Sequence, residues 1–182
     1  MSNVKKILKQ DYKRIFNKKV SFFRKIKLIY TKDLTYMRWR YVRYMRLCDV
    51  LNYSGNIINN FRKLYYQRKK NQIGLLLGYE ITSTNIDAGI CLYHNGPIVI
   101  NGRSIIGENC SLHGDNCIGN DGKSGDCPII GKNVDIGVGA KIIGKVKIAD
   151  NVVIGAGSIV VTDILEENCV VVGVPGKIVE RK

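Results

Sequence analysis

A repeat of six residues governs the second half of this chain. Ile100, Ile106, Leu112, Ile118, Ser124, Ile130, Ile136, Ile142, Ile148, Ile154 and Val160 follow at intervals of six, and all but Ser124 are aliphatic. Glycine often comes next, at Gly107, Gly119, Gly125, Gly131, Gly137 and Gly155. Four positions after the aliphatic residue, small or β-branched residues recur at Cys110, Val134, Ala140, Val146, Val152 and Ser158. Neither the 3.6-residue period of an α-helix nor the two-residue period of a strand sustains such a pattern. It fits a solenoid in which each hexapeptide makes one short strand and one corner, and three hexapeptides make a triangular coil. The aliphatic side chains point inward and stack. The glycines are expected at corners, where backbone angles disfavour other residues. Burying each aliphatic side chain contributes roughly 1.5–3 kcal/mol, so a ladder of them stabilises even a narrow rod.

Residues 80–163 predict between four and five coils. Asn120–Cys127 keeps the count without the apolar residue and is expected to be an excursion loop from one corner. Ile86, Leu92 and Ile98 run two positions out of register with the downstream rungs, which places extra residues near His94–Pro97.

The first 79 residues have a different texture. Apolar and aromatic residues recur at three- and four-residue spacing, as at Tyr30, Leu34, Met37, Val42 and Met45, a helical signal. Helices are expected near 3–16, 20–29, 32–51 and 56–71. Ser21 and Asp33 are entry residues, and Gly55 with its Asn-rich surroundings is a break. The expected fold class is α+β: a basic α-helical region over 1–79, then a β-helix domain with a short C-terminal segment over 80–182.

Charge divides along the same line. Residues 1–79 carry 20 Lys and Arg against 3 acidic residues, whereas residues 80–182 carry 9 against 12. The basic half, with Tyr and Arg alternating through YMRWRYVRYMRL, suits contact with an anionic membrane or an acidic glycan. A solvated helical face or an oligomer contact accounts for it equally well. No nucleic-acid motif accompanies the charge. Neither a signal peptide nor a transmembrane run is apparent, so the expected location is the cytoplasm, with peripheral contact at the inner face of the membrane. The six cysteines show no paired spacing and read as free core-filling residues. Two histidines do not make a clustered metal site, and no metal is expected.

The segments ICLYHNGPIVING (90–102), IIGENCSLHG (105–114), IIGKNVDIGVGAKIIGKVKIADNVVIGAGSIVV (129–161) and GVPGKIV (173–179) resemble the hexapeptide-repeat acyltransferases. The likeness is greatest to the serine acetyltransferase branch and its relatives that acetylate capsular and other surface polysaccharides. The resemblance implies a left-handed parallel β-helix, acetyl-CoA as acyl donor, and a homotrimer or dimer of trimers with active sites between neighbouring β-helices.

Acetyl transfer to a hydroxyl needs a base, because an alcohol does not ionise at neutral pH. Histidine, with an ordinary pKa of about 6.5, suits the task. By resemblance His94 is the general base and Glu80 the acid that orients it. His113 binds the acceptor or polarises the thioester carbonyl. Tyr93, Asn95 and Asn101 are candidate acceptor contacts. Gly137, Gly139, Ala140, Gly155, Ala156, Gly157 and Ser158 are expected to offer a smooth groove to the pantetheine arm. Lys141 and Lys177 are placed to meet the CoA phosphates, and Pro175 ends the ladder. Cys127, in the excursion, reads as core or loop packing.

Tyr93 stands where serine acetyltransferases carry an Asp suited to an ammonium group, and an aromatic ring suits a sugar. The sequence ends in Glu-Arg-Lys soon after GVPGKIV, without the family's extended tail. These departures predict O-acetylation of a sugar in a capsular, O-antigen or similar polysaccharide. The alternative is serine O-acetylation in cysteine biosynthesis.

Overall fold

The computed structural model describes residues 2–17, 20–51, 56–82 and 84–179. Four helices lead: α1 (Ser2–Phe16), α2 (Phe22–Tyr30), α3 (Leu34–Leu51) and α4 (Ile57–Leu77). Both expected entry residues act as caps. The Ser21 hydroxyl accepts from Arg24 N–H at 3.4 Å, and the Asp33 carboxylate accepts from Thr35 N–H at 2.9 Å and Tyr36 N–H at 3.2 Å. The break expected at Gly55 lies outside the described residues.

Helix α4 runs to Leu77, past the end near residue 71 expected for it. It carries Gly74 in its interior and stops at Gly78, in the left-handed conformation at φ 80°. Gly74 is not a terminator. A Cβ there would lie 2.7 Å from the Tyr79 carbonyl oxygen and 3.1 Å from the Tyr41 ring, so the glycine lets α4 press against the first strand and α3.

From Tyr79 the chain winds through three sheets, numbered here in chain order. The first holds β1 (Tyr79–Ile81), β3 (Ile98–Ile100), β6 (Asn116–Gly119), β9 (Lys141–Ile143) and β12 (Ile159–Val160), all parallel. The second holds β4 (Ile105–Ile106), β7 (Ile129–Ile130) and β10 (Lys147–Ile148). The third holds β2 (Cys91–Leu92), β5 (Ser111–Leu112), β8 (Asp135–Ile136), β11 (Val153–Ile154), β13 (Val170–Val172) and β14 (Lys177–Val179). Only β14 is antiparallel, folding back on β13.

The ladder read from the sequence is the core. Ile100, Ile106, Leu112, Ile118, Ile136, Ile142 and Val160 are fully buried, and Ile130, Ile148 and Ile154 nearly so. The second inward set is buried as well: Cys110, Val134, Ala140, Val152 and Ser158 are at 0% exposure. Ser124 sits in the expected excursion, which lengthens one coil: Ile118 pairs with Ile142, whereas Ile142 pairs with Val160 at the ordinary spacing. The register shift near Pro97 is present too, since Leu92 pairs with Leu112 and Ile86 with Ile106.

The role expected of the recurring glycines needs correction. Gly107, Gly131, Gly137 and Gly155 do not supply left-handed corners; Asn109, Asn133, Asn151 and Asn168 do, at φ 54–61°. Asparagine tolerates that region because its side chain hydrogen-bonds locally. The glycines answer to stacking: a Cβ on Gly137 would lie 2.7 Å from the Ala156 nitrogen of the next coil.

A buried ion pair locks the helices to the first coil. Arg46 Nε meets Asp11 Oδ2 at 2.9 Å, and both side chains are almost wholly buried. Further hydrogen bonds brace the pair. Arg46 donates to the carbonyls of Ile86 and Asp87, and Asp11 accepts from the N–H groups of Gly89 at 2.6 Å and Ile90 at 3.2 Å. Tyr41, Val42, Met45, Ile73 and Leu77 from the helices share one apolar cluster with the coils.

Candidate active site

Strand register builds the site. In the third sheet the position after each inward aliphatic residue faces outward, and these positions align as Tyr93, His113, Gly137, Gly155, Val172 and, on β14, Lys177. Bulky rings at the top of the column give way to bare backbone below. The result is an open cleft of about 550 Å³ bordered by His94, His113, Asp135, Gly137, Val138, Gly155 and Ala156.

His113 is held on two sides. Its Nε2 lies 2.7 Å from Asp135 Oδ1. An ionised carboxylate only accepts, so Nε2 is the donor of this pair. The Tyr93 ring stacks on the imidazole at 4.6 Å between centroids and 16° between planes. Both partners leave room for a ligand: the His113 side chain is 33% exposed and that of Asp135 47%.

His94 projects from the bend between β2 and β3. Its side chain is exposed, and its carbonyl accepts from the Tyr79 hydroxyl at 2.7 Å, which anchors the bend. Burial of the Tyr79 ring pushes its phenol well above the ordinary range, keeping it a neutral donor. Gly114, at φ 112°, turns the next coil directly beneath His94. The two histidines lie on adjacent coils, as their spacing requires.

The Glu80–His94 pairing expected by resemblance is absent from the single chain. Glu80 points outward from β1 on the first sheet, into a separate cavity bordered by Lys70, Asn71 and Val99, and no hydrogen bond joins it to His94. The carboxylate–imidazole pair that exists is Asp135–His113. Sequence reading missed Asp135, although a signal was there. It occupies the outward position before Ile136, and register sets it opposite Ser111, two residues from His113.

Other candidates divide. Gly137, Gly155 and Ala156 line the cleft. Ala140 and Ser158 do not, because their side chains are buried inside the coil; the Ser158 hydroxyl accepts from Gly173 N–H at 3.2 Å. Gly139 and Gly157, at φ 76° and 69°, turn the chain from the third sheet to the first, past the cleft. The Lys141 ammonium is bound to Asp115, at 2.6 Å from its carbonyl and 3.1 Å from its carboxylate. Pro175 lies in the turn between β13 and β14, which brings Lys177 to the foot of the column. Asn95 is exposed at the His94 bend, while the Asn101 carboxamide accepts from Arg103 N–H at 3.0 Å and serves a turn away from the cleft. Cys127 stays in the excursion, its sulfur 3.9 Å from the Gly125 carbonyl oxygen. Burial pushes the Cys91 thiol up, and that of Cys110 up to about 11, so both are neutral packing groups.

No protein-family model matches the chain. Among curated proteins, it is 37% identical over 110 residues to a serine acetyltransferase of Synechococcus elongatus, covering 59% of this chain and 45% of that one. To the serine acetyltransferase of Staphylococcus aureus it is 36% identical over 129 residues, covering 65% and 60%. The chain thus spans about half the length of the curated relatives it matches. Among solved structures, the serine acetyltransferase of Neisseria gonorrhoeae superposes with a TM-score of 0.75 at 28% identity, covering 99% of this chain and 68% of that one. The soybean serine acetyltransferase apoenzyme superposes with a TM-score of 0.77 at 23% identity, covering 98% and 70%, a likeness of fold. These comparisons overturn the sugar acceptor expected from Tyr93 and from the short tail: the curated relatives and solved neighbours are serine acetyltransferases.

Proposed function

We propose that this chain is an acetyl-CoA-dependent serine O-acetyltransferase, a left-handed β-helix that works as a homotrimer. The observation that carries the reading is the convergence of His94, His113 and Asp135 on one cleft with a glycine floor. The objection from Tyr93 falls away, because the carboxylate missing beside His94 is supplied from another coil. Asp135 spends one oxygen on His113 and has a second for the serine ammonium.

The serine hydroxyl oxygen attacks the thioester carbonyl while His94 takes its proton. The tetrahedral adduct collapses, the carbon–sulfur bond breaks, and the thiolate leaves with that proton from the imidazolium. The products are O-acetylserine and CoA. A positioned base of this kind contributes about 10²–10⁴-fold. His113, fixed by Asp135 and Tyr93, forms the wall against which the acceptor sits.

The donor fits the column. Gly137 and Gly155 leave no side chain in the path of a thin amide-bearing arm. With strands about 4.8 Å apart, Lys177 stands roughly 19 Å down the sheet from His113, at the phosphate end of such an arm. The cleft is open along one side, where a neighbouring coil of a trimer would close it. A serine acetyltransferase of Brucella abortus, of similar fold with a TM-score of 0.74, was solved with coenzyme A. One of Neisseria gonorrhoeae, with a TM-score of 0.71 at 27% identity, was solved with serine.

The test is thiol release from acetyl-CoA by the purified protein. L-serine should stimulate it, and His94→Ala should lower the rate at least a hundredfold with the fold intact. Release that ignores L-serine, or that survives His94→Ala, refutes the proposal.

A further inference from the structure

Helix α2 is seated backwards for a soluble helix. At 100° per residue, Phe22, Phe23, Ile26, Ile29 and Tyr30 fall on one arc about a third of the circumference wide. That arc faces solvent: Phe22 is 72% exposed, Phe23 82% and Tyr30 89%, and Ile26 and Ile29 are about half exposed. No residue of α2 is buried, and its one half-buried side chain, Leu28, lies on the opposite side, against the body. The outer face of α4 continues the pattern with Ile57, Phe61 and Leu64, each 61–69% exposed. The two helices meet where Ile29 and Leu76 border one cleft. Large apolar side chains exposed together along one helix face mark a contact.

Charge selects the partner. Lys25 and Lys27 flank the α2 arc, α4 adds Arg62 and Arg68, and neither helix contains an acidic residue. A second copy of this face would bring two cationic surfaces together. A polyanion such as an acidic glycan would satisfy the charge and leave Phe22 and Phe23 in water. An anionic bilayer satisfies both requirements, taking the aromatic and aliphatic side chains below its headgroups and the Lys and Arg groups among its phosphates. No described helix is long and apolar enough to cross a membrane, so the contact is in the plane of the surface. We propose that the exposed face of α2, extended by α4, docks this protein on an anionic lipid bilayer. The inference is independent of which hydroxyl is acetylated.

The experiment is co-sedimentation of the full chain with vesicles of phosphatidylcholine alone or with a third of phosphatidylglycerol, at low and high salt. Light scattering follows the oligomeric mass. The expected result is at least tenfold more bound protein on the anionic vesicles, falling with salt. Phe22→Ser with Phe23→Ser should reduce it tenfold or more, and Lys25→Gln with Lys27→Gln should remove the preference for anionic lipid, both at unchanged mass. These side chains are exposed, so the fold survives their replacement. Equal binding to both vesicles, or none, overturns the proposal. So does a Phe22/Phe23 variant that loses oligomeric mass yet binds vesicles like the parent, which assigns the face to a second copy. So does dextran sulfate binding as tight as vesicle binding and indifferent to that variant.

Discussion

Replacing Asp135 by Asn isolates the charge on which serine recognition is proposed to depend. The amide keeps an oxygen where Oδ1 accepts from His113 Nε2 at 2.7 Å, so the imidazole stays in place against Tyr93. What disappears is a negative charge facing the acceptor ammonium. Two unit charges about 4 Å apart attract by about 4 kcal/mol at an effective dielectric of 20. Asp135 is 47% exposed, which moves the value down, towards the 1.5–3 kcal/mol typical of a charge-assisted hydrogen bond. A loss of about 2 kcal/mol is roughly thirtyfold in kcat/KM for L-serine, since each 1.4 kcal/mol is tenfold. The ammonium does not take part in bond making, so the interaction is equal in ground and transition states, and the change should fall on the serine KM. Steady-state thiol release at varied serine and varied acetyl-CoA reads both constants. An unchanged serine KM, or an equal rise in the acetyl-CoA KM, refutes the assignment and leaves Asp135 a support for His113 alone.

Two further outcomes follow from the helical region. Arg46→Ala strands the buried Asp11 carboxylate and two carbonyls, so unfolding by urea should show a loss of about 3–5 kcal/mol, whereas an effect below 1 kcal/mol would remove the ion pair from the account of how helices and coils are joined. Burial pushes Asp49 up to about 6, against opposing pulls from Arg46 and Lys70. A carboxyl whose folded pKa is raised binds its proton more tightly in the native state, so it favours folding below about pH 4 and costs stability as pH rises through 6. Asp49→Asn should therefore gain about 1–3 kcal/mol over the parent at pH 8 and nothing at pH 4, and a gain that is the same at both pH values would contradict that reading.

The rungs were legible in the sequence because a hexapeptide period is the geometry of the coil written directly in residue types. Each inward position must be aliphatic or small, whatever surrounds it, and Ile136, Ile142 and Val160 obey at 0% exposure. Even the excursion and the register shift could be read, since both are departures from a strict count. The role of the glycines could not. Gly137 and Gly155 look like corner residues when only their own coil is considered. Their necessity lies in the coil beneath, in its backbone for Gly137 and in the Val172 side chain for Gly155, a contact that no local pattern encodes. Gly74 is alike: its place in the interior of α4 follows from the close approach of that helix to Tyr41 and Tyr79.

The site divides along that line as well. His94 and His113 were chosen because histidine is scarce in the chain and the chemistry calls for it, and both border the cleft. Asp135 was overlooked because its partner lies on another coil, across the excursion that lengthens the turn between β5 and β8. Sequence distance along a solenoid measures rungs, and an acid matters to a base when both project from neighbouring rungs of one sheet. By that rule Asp135 meets His113 with a 2.7 Å contact, while Glu80, on the first sheet, makes no hydrogen bond to His94 within the single chain. The same rule places Lys177 in the cleft column and Lys141 outside it, although both were chosen by resemblance alone. Parallel stacking fixes His113 and Asp135 through several buried rungs, and the Tyr79 hydroxyl ties the His94 bend to the same core. That makes the column, together with the His94 bend above it, the unit on which the proposed acetyl transfer depends.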